Sequence, residues 1–201
     1  MMKQTFILLA GYPGTGKSYL AKMLIEQCGT FRLCSPDEFK EYFWDAYGFD
    51  TEAEKNHLIE MSWQKYYQAL SALFAEGYSV ISDYPFSEKQ KTTLSMLEDT
   101  FHVQILTIRL VGDLSVLYER QRSRDLQNSR HLGHIVKKYH KGQAIHHKEA
   151  DNLLNQSEFH KRCTTRGYGE FSLGKLIELD VTDFTKVDYP KLMREIQAFV
   201  D

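Results

Sequence analysis

The sequence predicts a three-layer α/β/α sandwich around a five-stranded parallel sheet. Three observations carry this: short apolar runs alternate with helical periodicity, capping signals stand where helices should begin, and a glycine loop separates the first run from the first helix. Thr5–Ala10 is apolar after its first residue, as a strand buried on both faces requires. It breaks into the turn-forming stretch Gly11-Tyr12-Pro13-Gly14-Thr15-Gly16, after which Leu20, Met23, Leu24 and Gln27 keep helical spacing. Phe31–Cys34 reads as a second strand. Ser35 and Glu38 then have capping-box spacing, and Pro36 suits the first helical position. Thr51 and Glu54 open a long helix carrying Leu58, Met61, Ala69, Leu70, Leu73 and Phe74, closed by Gly77. Tyr78–Asp83 is the third strand, Ser87 with Gln90 caps the next helix, and Val103–Leu110 is the fourth strand. Gly112-Asp113 turns into a helix with Leu114 and Leu117. Lys175–Leu179 makes the fifth strand, and Tyr189–Val200 a last helix with Leu192, Ile196 and Phe199 on one side.

The 201 residues suit one domain spanning 1–201, and 42% hydrophobic with 26% charged residues excludes disordered and collagen-like chains. Phe6–Ala10 is too short for a membrane span or a signal segment, so a cytoplasmic location and no membrane partner are expected. Cys28, Cys34 and Cys163 lack C-x-x-C spacing and fit reduced thiols better than a disulfide framework or a zinc site. The net charge of −2 hides an asymmetry. Residues 120–166 hold 11 Lys and Arg against 4 Asp and Glu, with six of the eight histidines, while the remainder is acidic. An acidic body with one basic segment points to a local anion site rather than a general nucleic-acid surface; a solvated helical face is the plainer reading. Residues 125–166 are polar and weakly periodic, an irregular helical stretch, and 120–166 is set apart as a lid within the domain rather than a second folding unit.

Gly11–Ser18 match G-x-x-x-x-G-K-[ST] in full. The glycines let backbone amides converge on a phosphate without Cβ collisions, and the following helix adds its positive end. Lys17 would reach the β- and γ-phosphates, and Ser18 would offer a hydroxyl to Mg²⁺. A nucleoside triphosphate, with ATP and Mg²⁺ as the expected cofactors, is thus assigned to Gly11, Gly14, Thr15, Gly16, Lys17, Ser18 and the adjoining Tyr19.

On these residues the chain resembles the P-loop small-molecule kinases related to adenylate kinase, especially the AAA-type ATP-binding kinases that include polynucleotide kinase, chloramphenicol phosphotransferase and zeta-toxin-like proteins. The resemblance implies a nucleotide-kinase type of P-loop fold with a lid insertion, and transfer of the γ-phosphate to a hydroxyl. A small-molecule or nucleoside-like acceptor comes first; a nucleic-acid 5′ terminus, or a nucleotide-gated ATPase or binding module, are the alternatives. Asp83, ending a hydrophobic strand, takes the Walker-B place as a magnesium residue, or caps the turn that follows. Asp83-Tyr84-Pro85 is similar to the D-x-[FY]-P of nucleoside-monophosphate kinases but lacks the Arg that follows there. Ser35-x-Asp37-x-x-Lys40 looks like the S-x-D-x-x-R of polynucleotide-kinase-like enzymes, which makes Asp37 the proton acceptor and Lys40 a substrate-holding residue; an acidic first turn of the helix is the alternative. Leu117, Arg120 and Arg124 resemble the L-x-x-R-x-x-x-R that opens kinase lids, whose arginines close on the ATP phosphates, or they are surface charge. Arg130, His131 and His134 are candidates for substrate contact, with Gly133 allowing close approach; zinc at His131 and His134 has weak support because no companion ligand stands at the right spacing. Thr182 resembles a residue along the adenine ring. Tyr42, Phe43, Trp44, Tyr47, Phe49, Trp63, Tyr66 and Tyr67 are core residues at helical spacing or the lining of an acceptor slot.

Overall fold

The structure, a computed structural model, describes residues 3–201. Strands β1 (Thr5–Gly11), β2 (Phe31–Leu33), β3 (Ser79–Asp83), β4 (Gln104–Val111) and β5 (Lys175–Asp180) form one parallel sheet in the order β2-β3-β1-β4-β5. Every residue of β1 is buried, because strands flank both its edges and helices cover both its faces. Its pleat still sorts side chains: Phe6, Leu8 and Ala10 enter one core with Phe74, Val80, Leu94 and Ile105, and Ile7 and Leu9 enter another with Leu20, Leu24, Leu192 and Ile196.

The helices of the described residues are α1 (Lys17–Cys28), α2 (Pro36–Tyr47), α3 (Glu52–Ala75), α4 (Glu88–Phe101), α5 (Leu114–Asp125), α6 (Gln156–Thr165) and α7 (Tyr189–Val200). None is long and apolar enough to cross a membrane. Helices α1 and α7 cover the face of Ile7 and Leu9; α3 and α4 cover the other. The capping box at Thr51 forms, with Thr51 Oγ1 accepting from the Glu54 N–H at 3.2 Å and Glu54 Oε2 accepting from the Thr51 N–H at 3.1 Å. Gln90 Oε1 accepts the Ser87 N–H at 3.0 Å. Ser35 departs from expectation: its hydroxyl makes no capping bond, and it lies beside Asp83 instead.

The basic stretch also differs from its prediction. Instead of one irregular helix, residues 126–155 hold only two short 3₁₀ turns, and regular helix returns at α6. Tertiary packing overrides local propensity here. Ile135, Val136 and Tyr139 share a core cluster with Trp44, Phe49 and Leu58, and Phe49 and Tyr139 exchange backbone hydrogen bonds of 2.8 Å each. Helix α6 packs back on α5 through Phe159 and Cys163 against Leu117 and Tyr118.

Because all strands run one way, their carboxyl ends share one edge. The chain leaves β1 toward β2 on one side and reaches β4 on the other, which opens a crevice at that edge.

Candidate active site

The loop after β1 has a shape that only glycine allows. Gly11 has φ 101°, and a Cβ there would lie 1.9 Å from the Leu110 carbonyl oxygen; at Gly14, with φ 82°, it would lie 2.4 Å from that of Leu117. Pressed between β4 and α5, the loop leaves the amides of Gly14, Thr15, Gly16, Lys17 and Ser18 with no acceptor among the described residues. Free amides at the start of a 12-residue helix suit an oxyanion. Lys17, 8% exposed, folds over them: its Nζ donates to Tyr12 O at 2.6 Å and Thr15 Oγ1 at 3.2 Å. Burial, helped by the charge of Arg124, brings its pKa down to about 7.

Parallel pairing sets Leu9 opposite Asp83, which brings the end of β3 to this loop. Ser18 Oγ donates to Asp83 Oδ2 at 2.5 Å. The other carboxylate oxygen, Oδ1, is buried with no hydrogen-bond partner among the described residues. Burial raises the Asp83 pKa, against the lowering effects of Ser18, Ser35 and Lys17. A hydroxyl beside a carboxylate with one unpaired oxygen is the hard-oxygen donor set that Mg²⁺ takes, so these residues fit that ion.

Asp37 occupies the first turn of α2, where Lys40 Nζ meets its Oδ1 at 2.9 Å. Burial alone would raise its pKa, but Lys40, His134 and Arg130 together hold the carboxyl well below the usual range. Lys40 is itself buried, with Nζ 4.0 Å from the Tyr84 ring centroid and 5.7 Å from that of Trp63. Its ammonium, expected to hold a substrate group, is turned to Asp37 and orients that carboxylate. Arg124 donates to Gln121 Oε1 at 2.9 Å and lies within electrostatic reach of Asp37, Asp83 and Lys17.

Other candidates fall elsewhere than expected. Arg120 does not join Arg124 at the loop: it donates to Val181 O at 2.6 Å and Thr182 O at 2.7 Å, with its Cζ 4.0 Å from the Phe184 ring centroid. One helical turn separates the two arginines, and that turn is enough to give them different partners. The Thr182 hydroxyl accepts from the Asp113 N–H at 2.9 Å, so it fastens this strand end to the start of α5. Phe184, which no motif in the sequence marks, approaches Gly16, and Tyr19 is exposed on α1.

The acidic face of α2 explains the basic stretch. Asp37, Glu41 and Asp45 recur every four residues; His134 meets Glu41 at 2.8 Å, and His131 meets Asp45 at 3.1 Å. Burial lowers the His134 pKa despite Glu41. Each imidazole has its own carboxylate, and no cluster of three or more metal-ligating side chains occurs among the described residues. Gly133 does permit close approach, but to Trp44: an added Cβ would lie 2.4 Å from the indole. Arg130 bonds Asp125 at 3.2 Å. Of the aromatics, Trp44, Phe49 and Tyr66 are core, and Trp63 borders Lys40.

A family model described as AAA domain matches residues 6–141, from β1 through the α2-docked stretch. The chain belongs to the AAA domain family. No curated protein matches it in sequence. Among solved structures, this AAA-domain chain is similar to a candidate kinase of Chloroflexus aurantiacus, with 21% identity and a TM-score of 0.75 over 99% of this chain and 97% of that one. A tunicamycin resistance protein of Deinococcus radiodurans is similar at 18% identity, with a TM-score of 0.57 over 98% and 95% of the two chains. A gluconokinase of Sinorhizobium meliloti follows at 16% identity and a TM-score of 0.51, over 91% and 86%. The shared fold is that of the P-loop kinases.

Proposed function

We propose that this chain is an ATP-dependent phosphotransferase that moves the γ-phosphoryl group of ATP to a hydroxyl of a small molecule. The observation that carries the reading is the placement of two carboxylates in different surroundings within reach of the phosphate loop's lysine, Asp83 at the end of β3 and Asp37 in the first turn of α2. Asp83 is bonded to Ser18, and Asp37 to Lys40, with Lys17 and Arg124 within reach of both. The fold shared with a gluconokinase and a tunicamycin resistance protein supports a small acceptor.

In this reading the amides of Gly14–Ser18 and the Lys17 ammonium bind the β- and γ-phosphates. Ser18 and Asp83 would hold Mg²⁺, which when bound neutralises phosphate charge. Phosphoryl transfer asks mainly for positioning and charge stabilisation, and Arg124 meets the charge that builds on the phosphoryl oxygens. Asp37 accepts a hydrogen bond from the acceptor hydroxyl. Held at low pKa by Lys40, it is a weak base, so it orients the oxygen first and takes the proton only as the new O–P bond makes that oxygen acidic. The electrons of the broken bond leave with ADP. Arg120, Thr182 and Phe184 flank the adenine end, and the stretch around His131 and His134, docked on α2, walls the acceptor side.

Labelled ATP offered with a panel of hydroxyl compounds, including 5′-hydroxyl oligonucleotides, tests the proposal. Transfer to a small acceptor well above hydrolysis is expected. Transfer to the oligonucleotide alone would reassign the acceptor, and bare hydrolysis across the panel would overturn the kinase reading.

A further inference from the structure

Tyr12, the second residue of the phosphate loop, stands at a position that the motif leaves open. Its backbone nevertheless does much to place the motif's lysine. The Tyr12 carbonyl accepts from Lys17 Nζ at 2.6 Å and from the Thr15 hydroxyl at 2.7 Å. Lys17 Nζ also donates to Thr15 Oγ1 at 3.2 Å and to the Gly11 carbonyl at 3.3 Å. A buried ammonium needs partners for its three hydrogens, and these three bonds supply them. Tyr12 supplies the shortest, so the stance of the ammonium follows the direction of this carbonyl.

The rest of Tyr12 fixes that direction. Its N–H donates to Leu110 O of β4 at 3.2 Å, and Pro13 behind it favours extended backbone. With both torsions restrained, the carbonyl turns with the residue as a whole. The ring then decides how the residue sits. It packs against the cluster that Leu117 and Tyr118 of α5 form with Phe159 and Cys163 of α6. Its phenol end lies against Gly169, in the turn beyond α6, where an added Cβ would stand 2.2 Å from Oη and 2.8 Å from Cζ. Gly169 does not have a left-handed backbone, so what glycine provides there is room for this ring.

We propose that Tyr12 is a positioning residue for Lys17: its ring, seated against α5, α6 and Gly169, holds the carbonyl that presents the ammonium to the β- and γ-phosphates. The inference rests on the nucleotide-binding part of the kinase reading and on no property of the acceptor. It makes α6 a support of the nucleotide site, although that helix carries no residue of the phosphate-loop motif.

A double-mutant cycle of Tyr12→Ala with Lys17→Ala tests this, reading both the affinity for mant-ATP with magnesium and the thermal unfolding of each variant. Tyr12→Ala should weaken mant-ATP binding about tenfold when Lys17 is present. In the Lys17→Ala background it should weaken binding less than about twofold, because the ammonium it positions is gone. The unfolding temperature should fall by a similar amount in both backgrounds, which separates packing from positioning. Tyr12→Phe keeps the ring in its seat and should recover most of the affinity. If Tyr12→Ala does not fold, Gly169→Ala takes its place in the cycle with the same expectation, since it displaces the ring and leaves Tyr12 present. Equal losses of affinity in both backgrounds, or no loss when Lys17 is present, overturn the proposal and leave nucleotide binding standing. No binding of mant-ATP by the parent overturns the kinase reading and this proposal with it.

Discussion

Ser18 Oγ donates a 2.5 Å hydrogen bond to Asp83 Oδ2, joining the first turn of α1 to the end of β3. This bond leaves Asp83 Oδ1 buried and unpaired, so a small hard cation is the natural completion of the pair. Asp83→Asn keeps the shape and removes the charge. It should abolish the magnesium dependence of nucleotide affinity and cut transfer by about a hundredfold or more, while thermal unfolding stays within a few degrees of the parent. Titration of nucleotide with and without magnesium checks this.

Asp37 and Lys40 make a second test. Asp37→Asn should lower kcat by about 10²–10⁴-fold with nearly unchanged ATP affinity if the residue acts on the acceptor hydroxyl as proposed. Equal loss of both would mark Asp37 as structural.

The same pair gives a pH signature. Lys40, His134 and Arg130 keep Asp37 ionised throughout the neutral and mildly acidic range, so this group gives the parent no acid limb. In Lys40→Met the strongest of these charges is gone and burial acts with less opposition, so the Asp37 pKa rises. Transfer should then fall as pH drops, recovering at higher pH where the carboxylate ionises again. A pH–rate profile identical to that of the parent would contradict the positioning role of Lys40.

Arg120 and Arg124 should separate kinetically. Arg124→Ala removes a charge within electrostatic reach of Asp37, Asp83 and Lys17, and on the proposed mechanism it should lower kcat more than ATP affinity. Arg120→Ala frees the carbonyls of Val181 and Thr182 and the face of Phe184, and should weaken ATP binding and stability with a smaller effect on kcat.

Gly133→Ala tests the docking of the basic stretch. The new methyl would meet Trp44, which is 2% exposed and cannot yield cheaply, so about 1–3 kcal/mol of stability should be lost. Chemical denaturation at fixed pH measures it.

The sheet and the phosphate loop were legible because their signals are local. Thr5–Gly11 is an apolar run followed by a loop of fixed glycine spacing, and parallel pairing then delivers Asp83 to it. The destinations of Arg120, Lys40 and Gly133 were not legible, since a motif gives residue type and spacing but not the partner. Each found its partner far along the chain or on a neighbouring turn: Val181, Asp37 and Trp44. Helix α6 was not separated from the irregular stretch before it: the Asn155 and Glu158 capping box, whose two bonds measure 2.9 Å, opens a helix whose apolar positions are only Phe159 and Cys163. With so short a stripe, periodicity is weak. The charge asymmetry was visible, whereas its main cause, the acidic face of α2, needed the fold.

Calorimetry of ATP binding, in parent protein and Lys17→Ala, tests the central claim most directly. Lys17 has a pKa of about 7 without nucleotide, and a bound triphosphate would restore its proton, so binding should take up about half a proton at pH 7 and nearly a full one at pH 8. Running the titration in buffers of different ionisation enthalpy reads that uptake. The account predicts magnesium-dependent binding with an uptake that grows from pH 6 to pH 8 and disappears in Lys17→Ala. No heat of association, or identical behaviour of parent and variant, would contradict it.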